Sequence, residues 1–250
     1  MRYVSPAKLY RDAAGFLFRI DPQDPFQAAM MLGLFDRPTA WMMRRHTRPG
    51  TVAIDIGAHL GYFSLRLARL VGPAGAVHAF EPDPRLSWRL REHVQANALD
   101  ATVTVNEIGL LDRPAEHQSL ALSPQLGWAH VVGATRLSTE TFSARMTTLD
   151  DYVKQADIDP ATISVIKIDV EGAELAVLRG AQETLAATSA AVLVEHVPDR
   201  ATAAGRDADE LPAFLHELGF TAYVPMRKRA RLVLTPGTKP TLGMDLLFLR

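Results

Sequence analysis

The chain has 250 residues, 48% of them hydrophobic and 22% charged, with a formal net charge of −1 at pH 7. That length suits one large α/β domain, and so small a charge gives no footing for a polyanionic partner such as nucleic acid. There are no cysteines, which excludes disulfides, thiolate nucleophiles and cysteine-ligated zinc. No apolar run approaches the ~20 residues of a membrane span. The opening Met1-Arg2-Tyr3-Val4-Ser5-Pro6 lacks the apolar core of a signal peptide, so a soluble, cytoplasmic protein is expected.

Residues 1–50 stand apart as a helical N-terminal cap and substrate region. Aromatic and Met clusters (Phe16, Phe18, Phe26, Met30, Met31, Phe35, Trp41, Met42, Met43) are broken by Pro22, Pro25 and Pro38. Two or three short helices ending at Pro49-Gly50 are expected. They pack a core, or also line one wall of a substrate pocket, and they offer a surface for a homodimer. From residue 51 to 250, apolar runs alternate with amphipathic segments, as in a parallel sheet covered by helices. Strands are expected at 51–56, 75–81, 102–107, 163–169, 190–196, 220–225 and 243–249. Helices are expected near 61–71, 83–98, 148–156, 173–187 and 208–218. Residues 108–147, rich in Ser, Thr and Gly with Trp128 inside, are too long for a plain connection. They form a functional insertion, a small local sheet, or both. Met226-Arg227-Lys228-Arg229-Ala230-Arg231 is a basic turn between two apolar strands, either a solvated hairpin tip or an anchor for an anionic group.

The first stretch that carries chemistry is Val52-Ala53-Ile54-Asp55-Ile56-Gly57-Ala58-His59-Leu60-Gly61, followed downstream by Ala76-Val77-His78-Ala79-Phe80-Glu81. A strand, a Gly-rich turn, a helix and a second strand ending in an acid make a nucleoside-binding half-site. Glycines let the backbone turn sharply and approach a ligand closely, and Glu81 is placed to accept ribose hydroxyls. The spacing is G-x-x-x-G, not the G-x-G-x-x-G that seats a pyrophosphate on a helix N-terminus. It suits S-adenosylmethionine (SAM), which carries an amino acid where a dinucleotide carries phosphates. The second stretch is Val165-Ile166-Lys167-Ile168-Asp169-Val170-Glu171-Gly172-Ala173-Glu174, a buried strand that breaks into a helix through three acids and a glycine. Ligands of open α/β sheets sit outside the carboxyl ends of the strands, so Asp55, Glu81, Asp169, Glu195 and His196 are expected to converge on one rim. Lys167, alternating with core residues, is expected to pair with an acid.

The run Lys167 to Glu174, with Val177-Leu178-Arg179-Gly180-Ala181, strongly resembles the FkbM family of SAM-dependent methyltransferases. Asp55 to Tyr62, Phe80-Glu81-Pro82, Thr148-Leu149-Asp150-Asp151, Val194-Glu195 and, more weakly, Asp245-Leu246-Leu247-Phe248-Leu249 match in family order. Position 59 is more often Asn in that family. The resemblance implies a Rossmann-like class I methyltransferase fold with a mostly parallel seven-stranded sheet and an antiparallel last strand, and an activity toward hydroxyl groups of polyketides, sugars or other natural products. It implies that Gly57 and Gly61, with Ala58 and His59 of the same loop, border the methionine part of SAM. Asp55 would orient that end, Glu81 would hold the ribose, and Asp169 would border the cofactor. Adenine would lie beside Pro82 and the segment from Asn106 to Asp112.

An alcohol is a weak nucleophile at pH 7 and gains from a base as the new bond forms. His196 is the expected base, with Asp169 as the alternative base or as the group that orients His196. A His bonded within the core is the plain reading of the same residue. A divalent metal on Asp169, Glu171, Glu195 and His196 is weighed and not favoured, because Glu171 and Glu174 also suit a helix N-terminus. The expectation is therefore an O-methyltransferase of small hydroxylated acceptors, using SAM and no nucleic acid or membrane partner. An N-methyltransferase of protein or RNA would more often carry an Asp/Asn-Pro-Pro-aromatic turn where this chain has Asp169-Val170-Glu171-Gly172. A nucleotide-binding dehydrogenase would need the pyrophosphate loop, and a non-catalytic SAM binder would not need the rim acids.

Overall fold

The structure is a computed structural model and describes residues 8–21, 23–122, 129–131, 141–198, 202, 207–228, 231–238 and 245–250. The N-terminal region opens with a hairpin, β1 (Leu9–Arg11) against β2 (Leu17–Arg19), ahead of helices α1 (Pro25–Met31) and α2 (Arg37–His46). Of the two or three short helices expected there two are present, and the hairpin is an addition. Its turn closes locally, because Asp12 Oδ1 accepts from the backbone N–H groups of Ala14 and Phe16. Asp24 and Asp36 each cap a helix that begins with a proline in its first turn, the position where a missing N–H costs nothing.

The central sheet is built from β3 (Val52–Ile56), β4 (Ala76–Phe80), β5 (Val103–Asn106), β10 (Ile163–Ile168), β11 (Ala191–Glu195), β12 (Thr221–Lys228), β13 (Arg231–Pro236) and β14 (Asp245–Leu249). Their spatial order is β13-β12-β14-β11-β10-β3-β4-β5. The five strands from β5 to β11 run parallel, and β14 enters antiparallel between β11 and β12. All seven expected strands are present, with the antiparallel last strand. The eighth, β13, arises because the basic segment closes a hairpin in which Lys228 faces Arg231. Residues 229–230 and the side chains of Arg227, Lys228 and Arg231, on which the anion-anchor alternative rests, lie outside the described residues.

Helices α3 (Tyr62–Val71), α4 (Pro84–Ala96), α5 (Leu149–Gln155) and α8 (Glu210–Glu217) fall where the periodicity places them. The segment 173–187 is two short helices, α6 (Glu174–Arg179) and α7 (Gln182–Ala187). The break follows from Gly180, where a Cβ would meet the carbonyl oxygen of Leu111 at 2.0 Å, so chain from the insertion passes against the helix at that point. The insertion itself forms a small sheet, β6 (Gly109–Leu110), β9 (Thr141–Thr147), β7 (Ala115–Leu122) and β8 (Ala129–Val131), in the order β6-β9-β7-β8. Trp128 lies outside the described residues.

Period-two alternation divides the strands between two cores. Ala53, Val77, Ala79, Val165, Leu193 and Leu247 face the core made with α2, α3, α4 and the hairpin. Ile54, Ile56, Phe80, Ile166, Ile168, Val192, Val194, Leu246 and Phe248 face the core made with α5 to α8. The rim positions inherit this parity. Asp55, Lys167, Glu195 and Asp245 continue the rows of Ala53, Val165, Leu193 and Leu247 on the face toward α2 and α3.

Candidate active site

A cavity of about 350 Å³ opens at the carboxyl ends of β3, β4, β10 and β11. Its glycine loop begins as β3 ends. Gly57 (φ +82°) and Gly61 (φ +85°) are left-handed, as is His59 (φ +51°), a conformation that favours Gly and tolerates Asn better than most residues. The Gly57 and Ala58 N–H groups both donate to the Phe80 carbonyl, at 3.0 and 2.9 Å. A Cβ on Gly57 would sit 1.8 Å from the carbonyl oxygen of Asp169, and one on Gly61 would sit 2.2 Å from Leu90 Cδ1. The close approach that requires these glycines is therefore made by the protein's own rim and helix. Ala58, His59 and Gly57 line the cavity.

Glu81 lines the cavity from the end of β4. Its Oε2 accepts from the His59 N–H at 2.9 Å and its Oε1 from the Asp83 N–H at 3.0 Å. A carboxylate has about four acceptor positions, so capacity remains for a ligand's hydroxyls. Burial pushes its pKa up to about 7, against the pull of those two backbone N–H groups. Pro82 lies beside it, and Gly109, Leu110 and Leu111 continue the wall. Of the expected adenine segment it is thus the middle that reaches the cavity. Asn106 instead donates to the Ala79 carbonyl and accepts from the Tyr152 hydroxyl. His59 Nε2 is buried with no hydrogen-bond partner among the described residues. Burial lowers that imidazole to about 4, leaving it neutral at pH 7.

Three expected residues do not line the cavity: Gly61, which turns the chain into α3 against Leu90, Asp55 and His196. Asp55, one residue inside β3, lies below the cavity surface, with Oδ2 accepting from Ser64 Oγ at 2.5 Å and Oδ1 without a hydrogen-bond partner among the described residues. Its register partner on β10 is Lys167. His196 follows the parity of Val192 and Val194 and lines a separate small hollow with Glu174, Leu175, Asp207 and Leu211. Burial pulls its pKa down, with Asp209 opposing. Glu195 lines both this hollow and the main cavity, whereas His196 lines only the hollow.

Lys167 occupies the centre of the floor at 1% exposure. Its Nζ donates to Asp169 Oδ2 at 3.0 Å and lies 4.9 Å from the Phe63 ring centroid. Burial alone would lower its pKa, but Asp169, Asp55 and Asp245 together hold it above the ordinary lysine value. The expected ion pair is present. Glu174 accepts from the Val170 and Gly172 N–H groups, which fixes the Asp169-Val170-Glu171-Gly172 turn. Asp169, Glu171 and Glu195 each bring an oxygen within 4.8 Å of the others; His196 does not join them.

Sequence reasoning missed Asp36 and Asp245. Both line the cavity, and Thr39 bridges them: its N–H donates to Asp36 Oδ1 at 3.3 Å and its Oγ1 to Asp245 Oδ2 at 2.6 Å. The signal was present in the last strand, where an antiparallel strand brings its first residue to the rim on which parallel strands end. Asp245 is accordingly opposite Glu195 in register. Apolar walls come from Phe26, Met30 and Phe35 of the N-terminal region and from Leu111, Leu120 and Met146 of the insertion.

Sheet order, glycine loop and rim acids together define a methyltransferase-type α/β domain. Residues 55–222 match the family model described as the methyltransferase FkbM domain. The chain belongs to the FkbM methyltransferase family. It is 30% identical over 156 residues to the 2-O-methyltransferase NoeI of Sinorhizobium fredii (strain NBRC 101917 / NGR234), covering 56% of this chain and 61% of that protein. It is 29% identical over 162 residues to the 31-O-demethyl-FK506 methyltransferase FkbM of Streptomyces tacrolimicus, covering 54% and 61%. The matches span about three fifths of the length of these curated relatives. The fold is shared with the crystal structure of methyltransferase FkbM from Methylobacillus flagellatus KT, at a TM-score of 0.50 and 16% identity over 84% of this chain and 50% of that one.

Proposed function

We propose that the protein is a SAM-dependent O-methyltransferase of a small hydroxylated acceptor, a natural product or sugar-containing metabolite. The observation that carries this proposal is the charge of the cavity at the glycine loop. Asp36, Glu81, Asp169, Glu171, Glu195 and Asp245 line it against Lys167 alone among the described lysines and arginines. Such a wall repels a pyrophosphate and attracts a sulfonium. The orphaned His59 Nε2 and the spare acceptor capacity of Glu81 are further polar groups that a nucleoside ligand would satisfy. Both curated relatives carry names of hydroxyl-directed methyltransferases, which supports oxygen as the acceptor atom.

When bound, SAM would supply an electrophilic methyl group. Glu81 would then hold the ribose, Gly57, Ala58, His59 and Gly61 would border the methionine end, and Pro82 with Gly109 to Leu111 would flank the adenine. Asp55 acts from below, keeping Lys167 charged. Asp169, bound to Lys167, borders the reacting centre. Phe26, Met30 and Phe35 exclude water there and shape the acceptor's seat. No helix among the described residues is long and apolar enough to cross a membrane.

The test is calorimetric titration of ligand-free protein with S-adenosylhomocysteine (SAH) and, separately, NAD. Micromolar SAH binding with none for NAD is expected, followed by transfer of labelled methyl from SAM to hydroxylated acceptors. Tighter binding of NAD would overturn the assignment. Glu81→Ala should weaken SAH by about 1.5–3 kcal/mol, the worth of hydrogen bonds to a charged group, or roughly ten- to a hundredfold in Kd. Unchanged affinity in that variant would place the ribose elsewhere.

A further inference from the structure

Asp36 and Asp245 are not explained by holding a nucleoside. Asp36 sits in the left-handed region (φ +33°) as the N-cap of α2, a conformation that is costly outside glycine and recurs at functional sites. Asp245 is 4% exposed. Thr39 takes its Oδ2, and Oδ1 makes no hydrogen bond among the described residues while the side chain lines the cavity. The groups facing it are Asp36 and Thr39 from the N-terminal region, Lys167 from β10, Asp169 just beyond that strand, and Glu195, its register partner on β11. The lysine that could neutralise it gives its hydrogen bond to Asp169.

Burial, and then Asp36, push Asp245 up to about 7, with Lys167 opposing. Burial likewise raises Asp36. Two such carboxyls in one wall do not both ionise readily without a cation. A unit positive charge about 6 Å away, at an effective dielectric constant of ~20, weakens a carboxylate's hold on its proton roughly a hundredfold.

Resting on the methyl-transfer reading above, we propose that Asp36 and Asp245 act as one proton-holding pair, releasing a proton when a sulfonium ligand enters the cavity and accepting the acceptor's hydroxyl proton at Asp245 Oδ1 during transfer. The balance closes. The acceptor oxygen forms the new O–C bond, the S–C electron pair returns to sulfur and cancels its positive charge, and the hydroxyl proton ends on the carboxylate. With the positive charge gone, the pair holds that proton again. Asp169 is less available for that proton, because Lys167 already donates to its Oδ2.

The test needs no acceptor. SAM and SAH are titrated into the protein at pH 7 in buffers of low and high ionisation enthalpy, phosphate and Tris, and the protons released per ligand are read from the difference in heats. Glu81 and the ribose contribute alike to both ligands, so the informative quantity is SAM minus SAH. In the wild type this difference should be about half a proton, the amount a carboxyl titrating near 7 can give at pH 7. In Asp245→Asn, which can still accept from Thr39, it should fall close to what the ligand amino groups alone contribute, with SAH affinity within about threefold of wild type. Equal proton release for SAM and SAH in the wild type, or an undiminished difference in Asp245→Asn, would overturn the proposal. The wild-type comparison stands even if the variant does not fold. Failure of both ligands to bind would instead sink the methyl-transfer reading, and this proposal with it.

Discussion

Replacing Gly57 with alanine should lower the stability of the ligand-free protein by roughly 2–5 kcal/mol, summing a left-handed backbone penalty and an overpacked contact. The new Cβ would lie 1.8 Å from the Asp169 carbonyl, and Asp169 is tied to β3 by its own N–H to the Ile56 carbonyl at 3.0 Å. The rim therefore cannot yield at one point without moving the other. Denaturant unfolding provides the measurement, with Gly50→Ala as control. Gly50 also has a positive φ (+74°) but has open space around it, so its cost should stay near the ~1–2 kcal/mol of the conformation alone. Equal costs at the two sites would mean that the contact with Asp169 is easily relieved. The same substitution should abolish SAH binding, because it displaces the loop that Glu81 grips through the His59 N–H.

Lys167→Met should cost about 3–5 kcal/mol at pH 8, the usual consequence of leaving buried acids without their cation. Asp55 and Asp245 are buried, and Asp169 accepts a hydrogen bond from the lysine. The penalty should shrink toward pH 5. Burial already raises Asp55 and Asp245 against the pull of Lys167, and without the ammonium their folded-state pKa values rise further above the unfolded ones. The folded variant then binds protons that the unfolded chain does not, and its stability falls as pH rises through that window. Urea unfolding of both proteins at pH 5 and pH 8 is decisive, and a penalty independent of pH would show that lost packing against Phe63, not charge, is responsible. A related sign holds for Glu81→Gln. Glu81 is raised to about 7 from 4.5, so its contribution to stability is present at low pH and lost as pH rises between those values. The variant should therefore gain on the wild type from about pH 4.5 to 7.5.

The strands were legible because their apolar runs end in chemically distinct residues. Asp55, Glu81 and Glu195 stand at or within one residue of the ends of three parallel strands, and the glycine loop marks the first of them. The small sheet over residues 109–147 was legible only as an anomaly of length, since its pairings join residues with no periodic signal between them. His196 and Glu195 follow one another at a strand end, where adjacent residues face opposite sides of the sheet, and of the two only Glu195 lines the main cavity. Asp245 was overlooked because an antiparallel strand offers its first residue, not its last, to the shared rim. Asp36 reads in sequence as an ordinary helix cap, and only the packing of α2 against the rim gives its carboxylate a second role.

The Thr39–Asp245 hydrogen bond joins residues 206 positions apart, through a strand that slots between β11 and β12 instead of adding at an edge. Contacts of such sequence separation are slow to form, because the loop between them must be closed first. During refolding the hydrophobic cores on either side of β3 can consolidate while this bond is still absent. Recovery of ligand binding should then lag behind recovery of helical content, so that the chain passes through a folded-looking stage that is not yet competent to receive its ligand.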